Sequence, residues 1–329
     1  MPILFAIFIL MFVQSTHTAA QMKWQQVDDL FQPLPASVHV YRSVDSLDGK
    51  PCIAYYVEAD LRDRKLEFTV DTSLRRRLKP SEYFEKNNRA LLVVNTTFFS
   101  FATHQNLNVV IRDKKLLGYN IHTINGRGKD TFTYRHPLGS AIGISRNRNA
   151  DIVWLYTDSS LRYAYAYQGP VPALRDSSVH FSKEAAVRAI RQSWPPKVRV
   201  RMDFGPWKMK TAVGGGPVLI QNGEIRITNN EEIKFGGKAI DDKHPRTAMG
   251  YTKDNKLIIL VIEGRHPGKA EGANLTQEAQ ILKDLGCWEA LNLDGGGSSC
   301  MLVNGKETIR VSDAGGQRPV PAVFMIRAQ

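Results

Sequence analysis

Eight short apolar runs, many of them separated by turn signals, restrict the fold of this chain more than any other feature. Each run is four to seven residues long. That length is typical of strands, whereas a core helix usually needs about ten residues or more. Dipeptides such as Asn222-Gly223 and Asn304-Gly305 predict tight turns between strands. The runs are 53–57, 66–70, 91–94, 152–156, 198–202, 257–262, 290–293 and 320–326.

Helix signals are fewer, and the clearest belongs to residues 275–285. Asn274 can cap this segment, Gln277 stands at the capping-box position, Glu278 suits the positive end of the helix, and Gly286 follows as a stop. Weaker candidates are 81–88 and 182–193. The sequence therefore predicts an α+β fold: a mixed, largely antiparallel β-sheet core with a few flanking helices.

The first 20 residues have the layout of a secretory signal peptide. An apolar run at 2–13 is too short to span a bilayer, and small residues suitable for a signal peptidase stand at 18–20. No Lys or Arg precedes the run, and the alternatives are a buried N-terminal strand or a short anchor. We expect a secreted or periplasmic protein with no stable membrane span after cleavage.

The rest of the chain shows no repeat, long linker or sharp change of composition. Residues 21–50 are mixed and polar, and we interpret them as a leader. Residues 51–329 are predicted to form one domain, with two lobes meeting near residue 180 as the alternative. Cys52, Cys287 and Cys300 are too few for a disulfide scaffold, and no pair of them has metal-ligand spacing.

The formal net charge of +12 favours an anionic partner. A phosphate-bearing glycan, an anionic cell surface and nucleic acid would all fit, as would a basic surface with no specific partner. We do not expect nucleic acid, because the chain lacks helix-turn-helix, zinc-finger or RNP-type motifs and carries an export signal.

Five polar segments carry candidate chemistry, and most of them follow an apolar run. The last is the most distinctive: a short apolar strand delivers Asp294 into three glycines and two serines. It is not a P-loop, since no Lys follows the glycines, nor an EF-hand. For each segment taken alone, a turn or a surface ion pair is an alternative. The segments are 95–99, 212–217, 244–250, 263–265 and 291–300.

Taken in order, these segments resemble the phosphodiester glycosidase family, over roughly residues 53–326. The family pattern is similar to Asn95-Thr-Thr-Phe-Phe99, Gly214-Gly-Gly-Pro217, Arg246-Thr-Ala-Met-Gly250, Glu263-Gly-Arg265 and Asn292-Leu-Asp-Gly-Gly-Gly-Ser298. Arg318-Pro319-Val320 matches a further family element. Two departures concern the substrate: Thr96 and Thr97 replace a glycine pair, and Glu263 replaces an aspartate.

The resemblance implies an enzyme that cleaves a sugar from its anomeric phosphate, acting on a phosphate-bearing carbohydrate. We assign no metal ligand and no cofactor. We assign Asp294 as the leading catalytic carboxylate and Glu263 as the second. Arg246 and Arg265 would hold the phosphate. The other predicted substrate-binding residues are Asn95, Thr97, Gly215, Gly216, His244, Thr247, Asn292, Gly295, Gly296, Gly297, Ser298 and Ser299. A non-catalytic glycan-binding or exopolysaccharide-assembly protein is the alternative function.

Overall fold

The computed structural model describes residues 21–195 and 202–328, which form antiparallel sheets with short helices. The helices are α1 (Pro80–Lys86), α2 (Lys183–Gln192), α3 (Asn229–Glu232) and α4 (Leu275–Asp284), with 3-10 turns at Asp28–Phe31, Gly128–Asp130, Gly237–Ile240 and Gly296–Ser298. The strands are β1 (Gln25–Gln26), β2 (Val38–Leu47), β3 (Lys50–Asp60), β4 (Leu66–Thr72), β5 (Leu92–Asn95), β6 (Val110–Arg112), β7 (Lys115–Gly118), β8 (Ile124–Asn125), β9 (Tyr134–His136), β10 (Gly139–Ser145), β11 (Ala150–Tyr156), β12 (Tyr165–Tyr167), β13 (Leu174–Asp176), β14 (Gly205–Pro206), β15 (Met209–Gly214), β16 (Val218–Gln221), β17 (Glu224–Ile225), β18 (Arg246–Thr252), β19 (Lys256–Ile262), β20 (Cys287–Asn292), β21 (Met301–Val303), β22 (Lys306–Glu307) and β23 (Ala322–Ala328).

Three larger sheets organise these strands. Sheet I has the order β1-β2-β3-β19-β18-β20-β16-β17, sheet II has β14-β12-β11-β10-β15-β6-β7, and sheet III has β22-β21-β5-β23-β4. A three-stranded sheet, β13-β9-β8, completes the set. Every strand pair between described residues is antiparallel. The fold is therefore largely β with some helices, broadly as the sequence predicts, although parallel pairs are missing among these residues.

The main core lies between the three sheets. Val261 of sheet I, Trp154 of sheet II and Phe324 of sheet III belong to one buried cluster. Alternating inward-facing side chains along paired strands produce such a cluster, since one face of each sheet must be removed from water. A second cluster lies on the opposite face of sheet I, where α4 packs against β16, β17 and β20.

Helix α4 begins where the sequence predicts. The Asn274 side chain accepts from the Gln277 N–H (2.8 Å), and the Gln277 side chain accepts from the Asn274 N–H (3.0 Å), which completes the capping box. Ala279 and Leu282 are fully buried against sheet I, so the predicted apolar stripe faces it. The helix leads directly into β20 and so fixes the approach to the glycine-rich segment.

Most of the predicted elements are confirmed. The predicted helices correspond to α1, α2 and α4, and seven of the eight apolar runs coincide with strands β3, β4, β5, β11, β19, β20 and β23. Of the eighth run, 198–202, the structure describes only Met202, which is not in a strand. The predicted signal peptide lies outside the described residues.

The predicted leader is integral to sheet I. Residues 38–47 form β2, whose ten residues all pair with β3. Val38 and Val40 are buried, whereas His39 and Tyr41 between and after them are only partly so. This alternation at 38–41 fits a strand with one covered face, and polar residues at 42–46 concealed it in the sequence.

Replacing Leu282 by Ala should lower the free energy of unfolding by about 2–5 kcal/mol, because the side chain is fully buried in the cluster between α4 and sheet I. Denaturant unfolding measures this change. Gln280→Ala on the exposed face of α4 is the matched control and should stay within about 0.5 kcal/mol of wild type. Equal effects of both substitutions would contradict this packing.

Candidate active site

Strand pairing brings four of the five polar segments to one edge of sheet I. The start of β18 lies opposite the end of β19, with Arg246 paired to Ile262. The end of β20 lies beside the start of β18 and the start of β16, since Asn292 pairs with Ala248 and Leu291 with Val218. The segments at 212–217, 244–250, 263–265 and 291–300 therefore enter or leave the sheet side by side.

The fifth segment joins them from sheet III, where β5 ends at Asn95. The Asp294 N–H donates to the Thr96 carbonyl (2.8 Å), and the Asn95 side-chain amide donates to the Asp294 carbonyl (2.5 Å). The backbone of Asp294 is thus held on both sides of its Cα by β5 and the residue that follows it.

Asn95 positions this loop from beneath. Its Oδ1 accepts from the Thr247 hydroxyl (3.0 Å) and the Cys300 N–H (3.1 Å), while Thr247 Oγ1 lies 3.1 Å from Ser299 Oγ. Asn95, Thr247 and Ser299 are at most 1% exposed. The sequence predicted that these residues bind substrate. In the structure these residues bond to one another and to the loop, and so close the junction between sheets I and III.

Asp294 is partly exposed at the start of the glycine-rich loop, and its carboxyl group lies beside the Ser298 hydroxyl and the Gly295 N–H. Burial raises its pKa to about 7, against the opposing effects of the Ser298 hydroxyl, the nearby Arg318 guanidinium and the Gly295 N–H. A carboxyl group that titrates near neutral pH, at the end of a rigid strand, is a strong candidate for acid, base or charge-stabilising chemistry.

Arg318 is a cation of this site that the sequence-based set omits. Its guanidinium forms a two-pronged ion pair with Asp313 (2.7 and 2.8 Å), and its Nη1 lies 3.4 Å from Ser298 Oγ. A Cβ at Gly297 would lie 2.0 Å from Arg318 Nη2 and from Asp313 Oδ1, so a side chain there would displace this ion pair. Arg318-Pro319-Val320 was noted for its family resemblance, and that was the only signal available from sequence.

Arg265 approaches the same loop from β19. Its backbone adopts φ +63°, which turns the chain back towards the glycines. A methyl group on Gly296 would lie 3.0 Å from Arg265 Nη2, so the exposed guanidinium covers the middle of the glycine segment. Arg265 and Arg318 therefore flank Gly296 and Gly297 with positive charge.

Arg246 and His244 are more enclosed than a phosphate-binding pair would be. Arg246 is 3% exposed and donates to the carbonyls of Ala273 (2.8 Å) and Asp242 (3.0 Å). Burial lowers the pKa of His244, and the cations Arg246 and Arg265 lower it further. At neutral pH this lowering of the pKa favours the neutral imidazole of His244.

Glu263, directly after β19, contacts the chain near Arg310 and His266. It is 7% exposed, its Oε2 accepts from the Arg310 N–H (2.9 Å), and its Oε1 lies 4.0 Å from His266 Nε2. These contacts tie the end of β19 to the chain near Arg310. The carboxylate of Glu263, the predicted second catalytic group, therefore bonds to the protein backbone.

The glycines before β16 serve close packing. The Gly215 N–H donates to the Ser140 carbonyl (3.1 Å) and the Gly216 N–H to the Asn292 carbonyl (2.8 Å). The Asn292 side-chain amide returns a bond to the Gly216 carbonyl (2.8 Å). These groups were predicted to bind substrate, and in the structure they fasten the segment before β16 to β10 and β20.

Lys234, Phe98 and Phe235 form an aromatic and cationic cluster beside Gly216 that no sequence signal indicated. A side chain on Gly216 would approach Lys234 Cε at 2.5 Å, and Lys234 Nζ lies 5.5 Å from the Phe98 ring centroid. Phe98 and Phe235 pack edge to face at 5.9 Å. Thr97, directly before Phe98, is 2% exposed and bonds its hydroxyl to Asn106.

Glu278, which the sequence places at the positive end of α4, is a buried residue of that helix. It is 0% exposed, and neither carboxyl oxygen has a hydrogen-bond partner among the described residues. Burial raises its pKa to about 8, and the charge of Arg246 only partly opposes this. Its carboxyl group is therefore mostly protonated at neutral pH.

The pH dependence of stability should report on Glu278. The folded state keeps this proton up to about pH 8, whereas an ordinary Glu loses it near 4.5. The stability from proton binding is therefore complete below pH 4.5 and is lost as pH rises towards 8, by at most about 1.4 kcal/mol per pH unit. Glu278→Gln should flatten this slope in denaturant unfolding across that range. Parallel pH profiles for wild type and variant would contradict the buried, proton-bearing state.

The cysteines are not part of this chemistry. All three are free and buried, and burial raises the pKa of the Cys52 thiol to about 12 and also raises that of Cys300. Within the described ranges, no group of three or more His, Cys, Asp or Glu side chains is arranged to hold a metal ion. In the same ranges, none of the helices has both the length and the apolar character needed to cross a bilayer.

Comparison with known proteins confirms the family resemblance. Residues 172–327 match the family model described as phosphodiester glycosidase. The mouse N-acetylglucosamine-1-phosphodiester alpha-N-acetylglucosaminidase is 32% identical over 95 residues, which are 26% of this chain and 18% of that protein. The corresponding bovine enzyme is 33% identical over the same length and coverage. The chain thus matches less than a fifth of the length of these relatives.

Solved structures share the fold over more of the chain. The catalytic domain of zebrafish N-acetylglucosamine-1-phosphodiester alpha-N-acetylglucosaminidase, auto-inhibited by its pro-peptide, aligns with a TM-score of 0.56 at 20% identity, covering 94% of this chain and 89% of that one. A hypothetical protein from Synechocystis aligns with a TM-score of 0.58 at 14% identity, covering 89% and 62%. At these identities the likeness concerns the fold.

Proposed function

We propose that this chain, whose residues 172–327 match the phosphodiester glycosidase family, hydrolyses a sugar-1-phosphodiester between the sugar and its phosphate. One observation carries the proposal. The Asp294 carboxyl group, whose pKa burial raises to about 7, begins a loop that the guanidinium groups of Arg265 and Arg318 flank. A carboxylate beside two guanidinium groups suits a substrate that develops positive charge on a sugar and negative charge on a phosphate.

The reaction breaks the bond between C1 and the phosphate oxygen. The bonding electrons leave with the phosphate, and water supplies its oxygen to C1 and one proton to the medium. The products are a free reducing sugar and a phosphomonoester. The transition state resembles an oxocarbenium ion, which ionised Asp294 would stabilise electrostatically.

The leaving phosphate needs positive charge more than it needs a proton. A phosphomonoester is already a good leaving group, so Arg265 and Arg318 would act by gathering its growing charge. Arg318 is held by Asp313 and so presents its remaining nitrogen without a large loss of side-chain freedom. We include Ser298 and Gly295, whose groups lie against the Asp294 carboxylate, among the groups that orient it.

The proposed setting is export from the cell, on the strength of residues 1–20, with a phosphate-bearing glycan or cell-surface polymer as substrate. Thr96 and Thr97, which stand where the family pattern has glycines, and the Phe98 ring beside them would narrow the sugar pocket.

A panel of sugar-1-phosphodiesters that differ in the sugar, each with a methyl aglycone, tests the proposal. Chain lacking residues 1–20 should release reducing sugar and phosphomonoester in equal amounts from at least one member. Asp284→Asn is the matched control, since it neutralises an exposed carboxylate at the end of α4 and should retain most of the activity. Tight binding of a panel member without turnover would favour the non-catalytic glycan-binding alternative.

A further inference from the structure

Phe101 lies on the surface between two guanidinium groups, at the border of the proposed active site. Its side chain is 62% exposed. The Arg318 guanidinium carbon lies 5.5 Å from its ring centroid, and that of Arg77 lies 5.1 Å away. Arg77 also lies 5.2 Å from the Phe99 ring. Positive charge therefore continues outward from Arg318, beside Asp294, to Arg77.

The backbone fixes this arrangement. Leu78 and Val320 form an antiparallel bridge, with N–O distances of 3.0 and 2.8 Å. Arg77 directly precedes Leu78, and Arg318 lies two residues before Val320, so the bridge holds their backbones near each other. The loop after β4 is also tied at its start, where the Ser73 N–H donates to the Pro321 carbonyl (2.9 Å). The two arginines thus keep their spacing without a ligand.

Ser73, Leu74 and Arg75 of this loop line one side of a cleft of about 450 Å³. Arg75, His104 and Asn106 line it, together with the exposed side chains of Tyr119 and Ile121. Asn106 connects the cleft to the site, since its side chain bonds to Thr97 and donates to Thr72 Oγ1 (3.3 Å). Among the ion pairs of the described residues, none includes Arg75, Arg76 or Arg77.

We propose that Arg318, Phe101, Arg77 and Arg75 form a track that binds an aglycone carrying further negative charge beyond the cleaved phosphodiester. The inference rests on the proposed function for its direction, with the sugar at Asp294 and the aglycone along the track. Guanidinium groups recognise phosphate or other oxyanions, and the exposed Phe101 ring offers an apolar face between those of Arg318 and Arg77. The substrate class is then a phosphate-rich glycan or polyol-phosphate polymer, and not a small neutral glycoside phosphate.

Calorimetry with inorganic phosphate and tripolyphosphate separates the track from the catalytic loop. We expect wild type to bind tripolyphosphate about tenfold more tightly than phosphate, and Arg77→Met to remove about that factor from tripolyphosphate alone. Arg77→Lys should lose part of it, because the charge remains but the planar stacking does not. Arg191→Met, an exposed arginine of α2, is the matched control and should change neither affinity.

If Arg77→Met and Arg191→Met lowered the affinity for tripolyphosphate equally, the effect would come from net charge, and the proposed track would be wrong. An oligothymidylate that bound as tightly as tripolyphosphate, with the same dependence on Arg77, would overturn the glycan assignment in favour of nucleic acid. These measurements need no turnover, so they remain decisive if the chain hydrolyses no member of the methyl-diester panel. If it does hydrolyse one, Arg77→Met should leave kcat/KM for the methyl diester within about twofold and lower it about tenfold for a diester with a phosphorylated aglycone.

Discussion

Asp294→Asn should lower turnover about a hundredfold or more while the protein stays folded with a melting temperature near that of wild type. The loss is the scale expected when one electrostatic catalytic group is removed. The backbone contacts of Asp294, to Thr96 and from Asn95, do not involve its carboxyl group, so the loop should keep its shape. A buried carboxyl group whose pKa is raised to about 7 does not stabilise the fold as an ion, and an amide of equal size should be tolerated.

The pH profile provides an internal control for this substitution. If ionised Asp294 stabilises the sugar cation, kcat/KM should rise as pH increases towards about 7, the value to which burial raises its pKa. A folded Asp294→Asn protein with more than a third of wild-type turnover would mean that Asp294 only begins a turn, a role that Asn fills equally well.

Asn95→Ala should lower the free energy of unfolding by about 3–5 kcal/mol. The side chain makes three hydrogen bonds in a fully buried place, to the Asp294 carbonyl, the Thr247 hydroxyl and the Cys300 N–H. Its removal leaves several buried polar groups without a partner, and each costs about 1–3 kcal/mol. Denaturant unfolding at neutral pH measures the loss.

Thr96→Val is the matched control for Asn95. It deletes a single buried hydrogen bond, from the Thr96 hydroxyl to the Ala322 carbonyl at 3.3 Å, and should cost only about 1 kcal/mol. Unchanged stability of Asn95→Ala together with a large rise in KM would return Asn95 to the sugar-binding role that the sequence suggested.

Local signals predicted α4 and the loop at Asp294 well. Helix capping by Asn274 and the glycine-rich turn after β20 depend on residues that are neighbours in sequence. The structure therefore has both features where the sequence predicts them. The direction of a side chain at a strand end is not local. Asn95 and Thr247 point into the junction of two sheets, and only the packing of sheet III against sheet I decides that.

The cations of the site show the same limit. Arg246 stood in a family motif and was expected to bind phosphate, yet it lies under α4 and bonds to carbonyl groups. Arg318 and Arg77 are far apart in sequence and reach the site region only because residues 78 and 320 form a bridge. Their pairing depends on contacts between distant segments, which composition and spacing do not encode.

Hydrolysis in water enriched with oxygen-18 tests the central claim most directly, on whichever sugar-1-phosphodiester the protein accepts. Cleavage between C1 and the phosphate oxygen predicts that the label enters the released sugar at C1 and that the phosphomonoester contains none. Mass spectrometry of both products, taken before the sugar exchanges its C1 oxygen with the medium, gives the answer. Label in the phosphomonoester and not in the sugar would mean attack at phosphorus and would contradict the glycosidase assignment.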